Sequence, residues 1–577
     1  MDRRTVLFAL PFALALPRAA LALTCDEIAA MAGAGAPVSV VVQTIEASGT
    51  LFDPDDLACL AARGLPPEVL AAARAHARDE ALGLDAAPGA APSAPPDALE
   101  RAIRLRQAHK PLSASLALAD LLREGVDPAE RGRIAFHLAT CLDDLQMPTL
   151  AEHYLLEALR QGPADPWFER SLVSLVALGE RTGDHDALQR VVARLPQDAW
   201  PRRVRPDLAW AAGLLYAERD EVGRALDALA QVPEGAHRDL QARYLEGVLL
   251  ARQGHARDAA GRFKAVVNAS VTARDREEAR RLQELQNLAV MDIARLYYGI
   301  GRYEQALGIY GHVERDAEAW PQARFEAAWA RLMANDPEGS LGELMTVRSP
   351  FFATDPWQPE AEVLRAISLY TLCDLHETTR VVTDFKAQVG PRRGALHAFV
   401  REYAPPGAPP LAEEAWAAWS GPRPPEVGPG IRATLGGDRD LALAAARLDR
   451  ITAERRAVQA QKARWRDAME PVLLPLLEAE QHRTQRRAGL QLLAEAAALD
   501  AHLADLLAQV DVIAFESGEA ARQDYEELAA GTPPAVARND EVYVYAPNQR
   551  DVYWPFNGEF WEDELGSYRV EGGGLCR

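Results

Sequence analysis

Lysine is nearly missing from this chain. Only Lys110, Lys264, Lys386 and Lys462 occur among 577 residues, and arginine supplies the other positive charge. That bias reflects GC-rich coding rather than a function. Positive charge is short overall: the formal net charge of −21 excludes the broad basic face of a general nucleic-acid binder. Long apolar runs are missing too, so no segment after the first 22 residues offers the 18 uninterrupted apolar residues of a membrane span. The 12 histidines form no His-Glu-x-x-His or His-x-His pattern, and no Cys/His group has zinc spacing. Neither phosphate-binding glycine pattern occurs, nor does the Gly-x-Ser-x-Gly elbow of esterases. No cofactor and no metal are expected. What remains, 48% hydrophobic and 25% charged residues, suits a folded chain too long for one core.

Residues 1–22 read as an export signal. Arg3 and Arg4 give the basic start, residues 5–16 the apolar run, and Ala20-Leu21-Ala22 the cleavage site. Arg3-Arg4 ahead of Thr5 keeps a twin-arginine route open. The alternatives are an uncleaved anchor, or a lipid anchor on Cys25, although Thr24 stands where a lipobox wants Gly, Ala or Ser. The expected location is the periplasm. Residues 23–83 read as a small helical module. There Cys25 and Cys59 are a candidate disulfide, with two buried thiols as the alternative. Residues 84–97, LDAAPGAAPSAPPD, form a Pro/Ala linker.

Residues 288–313, LAVMDIARLYYGIGRYEQALGIYGHV, hold two helical patterns split at Gly301. Ala294 and Ala306 let two helices approach, while Tyr297 and Tyr310 fill the groove left to the next pair. The pattern resembles a tetratricopeptide repeat, whose unit is 34 residues. It recurs with small first-helix residues at Ala139, Gly213, Gly247, Ala294, Ala328 and Ala366. Twelve residues on come Ala151, Ala225, Ala259, Ala306, Ser340 and Thr378, and four further Leu155, Leu229, Phe263, Tyr310, Leu344 and Val382. A degenerate copy is expected near Val176 and Leu188, and a partial one in residues 98–125. The resulting fold class is all-α, a right-handed α-solenoid of the tetratricopeptide type over residues 98–402.

Such an array buries its faces between neighbours and leaves a groove lined by first helices, suited to extended peptides or helices. Arg243, Arg295, Tyr298, Arg324 and Arg331 are the candidates to line it, ordinary solvated helix arginines being the alternative. Two irregularities interrupt the register. The step from Gly247 to Ala294 carries the charged run 272–286, either an extended helix with a solvated face or a projection for a partner. The step from Ala328 to Ala366 carries Phe351, Phe352 and Trp357, which either plug the solenoid or meet a partner.

Residues 403–437 form a Pro/Gly-rich linker with Trp416 and Trp419. Over residues 438–531 two heptad seams run, Ile451, Val458, Trp465 and Val472, then Leu492, Leu499, Leu506 and Ile513. Separated by Pro471 and Pro475, they read as an antiparallel helical hairpin or coiled coil. Residues 532–577 are a short irregular tail, strand-like over residues 542–545 and dense in aromatics and acids over residues 553–568. Trp554, Phe556, Phe560 and Trp561 there either dock on the protein itself or bind a partner. Cys141 and Cys373 read as small core residues, and the pairing of Cys576 stays open.

Three stretches together resemble a known family: FHLATCLDDLQMPTLAEHYLLEAL (136–159), Ser349-Pro350-Phe351-Phe352 followed by Pro359-Glu360-Ala361, and WPFNGEFWEDELGSYR (554–569). They are similar to envelope tetratricopeptide proteins associated with adventurous gliding motility and their relatives in non-gliding bacteria. The resemblance implies a non-catalytic assembly factor that contacts other envelope proteins through its groove and aromatic loops. Association with a membrane complex fits it. An enzymatic alternative rests on Glu516-Ser517-Gly518, the triplet around the catalytic acid of lytic transglycosylases. It would make the chain a cell-wall hydrolase with Glu516 as acid, but no Gly-Leu-Met-Gln-like segment follows.

Overall fold

The computed structural model describes residues 25–33, 38–48, 59–75, 96–124, 128–271, 273–352, 358–529 and 558–570, and every regular element among them is helical. The export signal, Trp357, Trp554, Phe556, residues 542–545 and Cys576 lie outside the described residues. Proline sets many helix starts. Eight described α-helices begin on one, because its missing N–H falls where a first turn leaves donors unbonded and its φ suits a helix.

The N-terminal module packs Ile28, Val41, Ile45, Leu60, Val69 and Ala73 into a core of its own. Cys25 and Cys59 form a disulfide with Cα atoms 6.2 Å apart, closing a loop across 34 positions. So small a core buries little surface, and the cross-link restricts its unfolded chain. The Cys59→Ser variant is expected to lose about 4 kcal/mol of module stability, the cost of opening a loop of that length. A shift of the first unfolding transition in calorimetry, reproduced in the native chain by reductant, would show it. No shift would mean the bridge is dispensable.

From Pro96 onward the chain builds an α-solenoid of eight helix pairs, from Pro96–Gln107 with Pro111–Glu124 to Pro359–Thr371 with Leu375–Tyr403. The register extends further than the six clear copies. Ala102, Ala114 and Leu118, all fully buried, complete a first unit in residues 96–124, and Val176, Leu188 and Val192 complete the degenerate one. Seven residues after each small position the chain turns left-handed, at His109, Gln146, Gly183, Asp220, Gly254, Gly301, Asn335 and Cys373, with φ from 54° to 78°. Most of these are not glycine, so the pairing of the helices holds the turn. Packing explains the small residues: a Cβ on Gly247 would sit 2.6 Å from the Phe263 ring.

Residues 276–299 form one extended helix, Arg276–Gly299, N-capped by the Asp275 side chain. Its charges pair with neighbours: Arg280 with Glu318 at 2.6 Å, while Glu284 accepts from the Ala319 N–H at 2.8 Å. Residues 403–437 are more than a linker, since helices Ala412–Ser420 and Pro429–Gly436 form there and bury Trp416 and Trp419. Cys141 is a buried free thiol, whereas Cys373 is disulfide-bonded rather than a plain core residue.

The C-terminal hairpin is Arg439–Gln459 and Ala463–Ala529. It turns at residues 460–462. Pro471 and Pro475 therefore lie inside the second helix rather than between the two arms. That helix has 67 residues, about 100 Å at 1.5 Å per residue. Its two halves pack differently. Trp465, Met469, Leu473 and Leu477, joined by Ile451 and Val458 of the shorter arm, share a core with repeat residues between Leu99 and Leu249. Leu492, Leu503, Leu506, Val510 and Ile513 share another with residues between Phe325 and Leu435. The core clusters of the intervening repeats contain no hairpin residue. The long helix thus spans the solenoid as a chord joins the ends of an arc.

Candidate functional site

The groove residues named from the sequence are committed to the protein itself. Arg295 donates to Asp292 at 2.8 Å and through two nitrogens to Glu326, at 2.8 and 2.5 Å. Glu326 is 31 residues on and almost fully buried, and it also accepts from Tyr310 Oη at 2.9 Å. Arg324 donates to the Tyr310 carbonyl at 2.8 Å, and Arg331 to Glu343 at 3.0 Å and Asp336 at 2.9 Å. Arg243 holds Asp239 at 2.6 Å and Glu234 at 3.0 Å, and Tyr298 stacks edge-on with Tyr303 at 5.2 Å. Carboxylates of neighbouring helices hold Arg295, Arg324 and Arg331, and Arg243 is held by its own helix and the loop before it, so none of the four is a free donor.

The hairpin is held by polar groups that sequence reasoning missed. Arg447, 5% exposed, donates to Glu152 at 2.8 Å and Asp184 at 2.6 Å and pairs with Glu480 at 2.7 Å. Seven residues on, Glu454 accepts from the backbone N–H groups of Thr149 (2.7 Å) and Leu150 (3.1 Å). It thereby caps helix Pro148–Leu159, whose own N-cap residue, Met147, has no side-chain acceptor. Burial pushes the Glu454 carboxyl up to about 7, against those hydrogen bonds. Its pKa is raised on folding, so this group's contribution declines as pH rises from the ordinary carboxylate range through 7. Trp465 Nε1 donates to Ser115 Oγ at 2.9 Å. A signal for this was present: Arg447 and Glu454 alternate with Ile451 and Val458, charges where a heptad seam wants apolar groups.

The described part of the tail docks on the array. Leu565 is buried beside Trp320 and Ala323, and the Gly566 N–H donates to Thr346 Oγ1 at 2.8 Å. Arg315 donates to the Asp563 carbonyl at 3.1 Å. Phe560 packs edge-on against Tyr568 at 6.1 Å, while Trp561 stays 53% exposed. A Cβ on Gly342 would lie 3.0 Å from the Tyr568 carbonyl carbon, so only glycine lets the tail backbone close there. Gly342→Leu is expected to release the tail. Hydrogen exchange at residues 558–570 should accelerate by about tenfold or more while the repeats keep their protection; unchanged exchange would show the seat is not needed.

Among the described residues, a large groove stays open. It measures about 830 Å³ and lies between the last two helix pairs. Phe352, Val381, Phe385 and Val389 give it an apolar floor, and Gln322, Gln358, Gln388, Arg348, Glu362 and Asp384 a polar rim. Phe352 lies 5.8 Å from the Trp320 ring, and Phe351 beside it is 49% exposed. Of the two aromatics, one plugs and one projects. Glu516 lies within the long helix, between exposed Phe515 and buried Ser517, and does not line this groove. Among the described residues no group of three potential metal ligands occurs, and no helix is long and apolar enough to cross a membrane.

No family model matches the sequence, and no curated protein does. Among solved structures, the chain is similar to a tetratricopeptide repeat protein from Parabacteroides merdae, with 17% identity and a TM-score of 0.29, covering 45% of this chain and 93% of that one.

Proposed function

We propose that this chain is an exported, non-enzymatic scaffold that binds protein partners during assembly of a cell-envelope complex, akin to the gliding-motility-related envelope proteins it resembles. The observation that carries the reading is the groove of about 830 Å³. An apolar floor with a mixed polar rim suits an extended segment whose side chains fill pockets while its backbone meets amides. The leader-like start and the Cys25–Cys59 bridge support an oxidising, exported location.

A photo-crosslinking residue at Gln388, on the groove rim, tests the reading in intact envelopes. Adducts of discrete mass are expected from that position and not from exposed Thr383 on the same helix. Identical adducts from both positions, or recovery of the protein from the cytosol, would overturn it.

A further inference from the structure

The chain carries five cysteines. Cys25 and Cys59 are bonded to each other, and Cys141 is a free thiol. Cys141 is also fully buried, and that burial pushes its thiol up to about 12, so it is inert to exchange. Cys373 is disulfide-bonded. Of the cysteines in the sequence, only Cys576 is left to take it.

Cys373 sits in the turn between helices Pro359–Thr371 and Leu375–Tyr403, left-handed with φ 61°. Glycine, Asn and Asp suit that conformation, and cysteine gains nothing from it locally. The residue is half-buried, at an edge of the array that another segment can reach.

The docked tail travels towards that edge. The Gly566 N–H bonds Thr346, and three residues on, the Arg569 Cα lies 3.2 Å from a Cβ built on Gly342. The tail therefore runs along helix Pro337–Val347 from its C-terminal end towards its start. Second helices of successive pairs run parallel in such an array, so Pro337–Val347 and Leu375–Tyr403 start at one edge. Cys373 stands there, two residues before Leu375. The two pairs touch close by, where Ser368 Oγ donates to Ser340 Oγ at 3.2 Å. Val570 packs on the core that holds Leu369 and Leu372, and the six positions from it to Cys576 span up to about 20 Å.

We infer that Cys576 is bonded to Cys373, as a redox-set latch that fastens the tail to the last helix pair. The bond forms by exchange with an external disulfide of the glutathione or dithiol-protein class. The Cys373 and Cys576 sulfurs join, their two protons and two electrons pass to that disulfide, and it leaves as two thiols. Reduction runs the same step backwards. The latched tail covers Trp320, whose ring lies 5.8 Å from Phe352 on the groove floor. The latch goes beyond the scaffold reading and holds whether or not the groove takes a partner.

For the test, the purified full chain is held in a glutathione redox buffer until the Cys25–Cys59 bridge is complete, then alkylated and digested with trypsin. Residues 366–380, with Cys373, and residues 570–577, with Cys576, should be recovered as one linked pair that reductant separates. Cys25 and Cys59 lie together between Arg18 and Arg63, so their bridge is read independently. Alkylated 366–380 and 570–577, or 570–577 linked to another copy of itself, overturns the pairing. Cys576→Ser then tests the latch, since this change next to the last residue should leave the melting curve native. Hydrogen exchange at residues 558–570 should accelerate at least about tenfold in the oxidised variant and match the reduced native chain. Cys373→Ser should give the same rate and the double variant no more, because one bond is lost in each. Unchanged exchange in Cys576→Ser overturns the latch even with the linked pair in hand.

Discussion

Arg447→Ala is expected to destabilise the protein by about 3–5 kcal/mol, because it leaves buried carboxylates without their cation. Glu152, Asp184 and Glu480 all converge on this one guanidinium, which is 5% exposed. Arg190 still holds Glu152, Arg450 holds Asp184 and Arg483 holds Glu480, but each comes from one side only. The hairpin should detach first, exposing the apolar seam from Ile451 to Leu477 to protease. A pH series supplies the second readout. Burial alone would raise the Glu480 carboxyl, but Arg447, then Arg483, bring it down to about 2. A depressed carboxyl adds stability above its unfolded value of 4.5 and loses it as pH falls toward 2. The deficit of the variant should therefore be full at neutral pH and shrink below about 4.5. A pH-independent deficit would mean that lost packing, not charge, is responsible.

Gly489→Leu is expected to lower stability by about 3 kcal/mol, through overpacking at a helix crossing that offers no side chain to move aside. The atoms nearest to a Cβ at Gly489 belong to the backbone of Ala412, with its Cα at 2.9 Å. There the N-terminus of helix Ala412–Ser420 crosses the long helix. Trp416 and Trp419 are buried in the same layer, and Trp419 lies 5.9 Å from Phe399. Displacing the short helix should shift tryptophan emission to the red and lower the denaturation midpoint together. A stable variant with unshifted emission would show that the two helices are free to separate.

The repeat register was legible because it depends on local geometry. A small residue where helices touch, a bulky one sixteen positions later and a left-handed turn between them are demands of each pair alone. Even Val176 and its partners follow them without a matching residue type. The arginines were not legible in the same way. Arg295 and Glu326 are 31 residues apart, and only the stacking of adjacent first helices brings them within 2.8 Å. Read singly, such an arginine looks like a free groove donor.

The hairpin divides along the same line. Heptads from Ile451 to Val472 and from Leu492 to Ile513 state that one face is buried, and period alone does not say against what. That the first half meets the early repeats and the second half the last ones depends on the curvature of the whole solenoid. The tail shows it at smaller scale: nothing near Leu565 names Trp320 or Thr346 as its seat, and Gly342 acquires its role only when the tail backbone lies across it. By itself, then, the sequence determined the helices, their pairing and the period of the array, because those arise from contacts within about forty residues. Only the tertiary structure decided which charges are spent internally, which surfaces the chain covers with its own hairpin and tail, and which groove stays open. Those outcomes depend on groups hundreds of residues apart meeting at fixed distances.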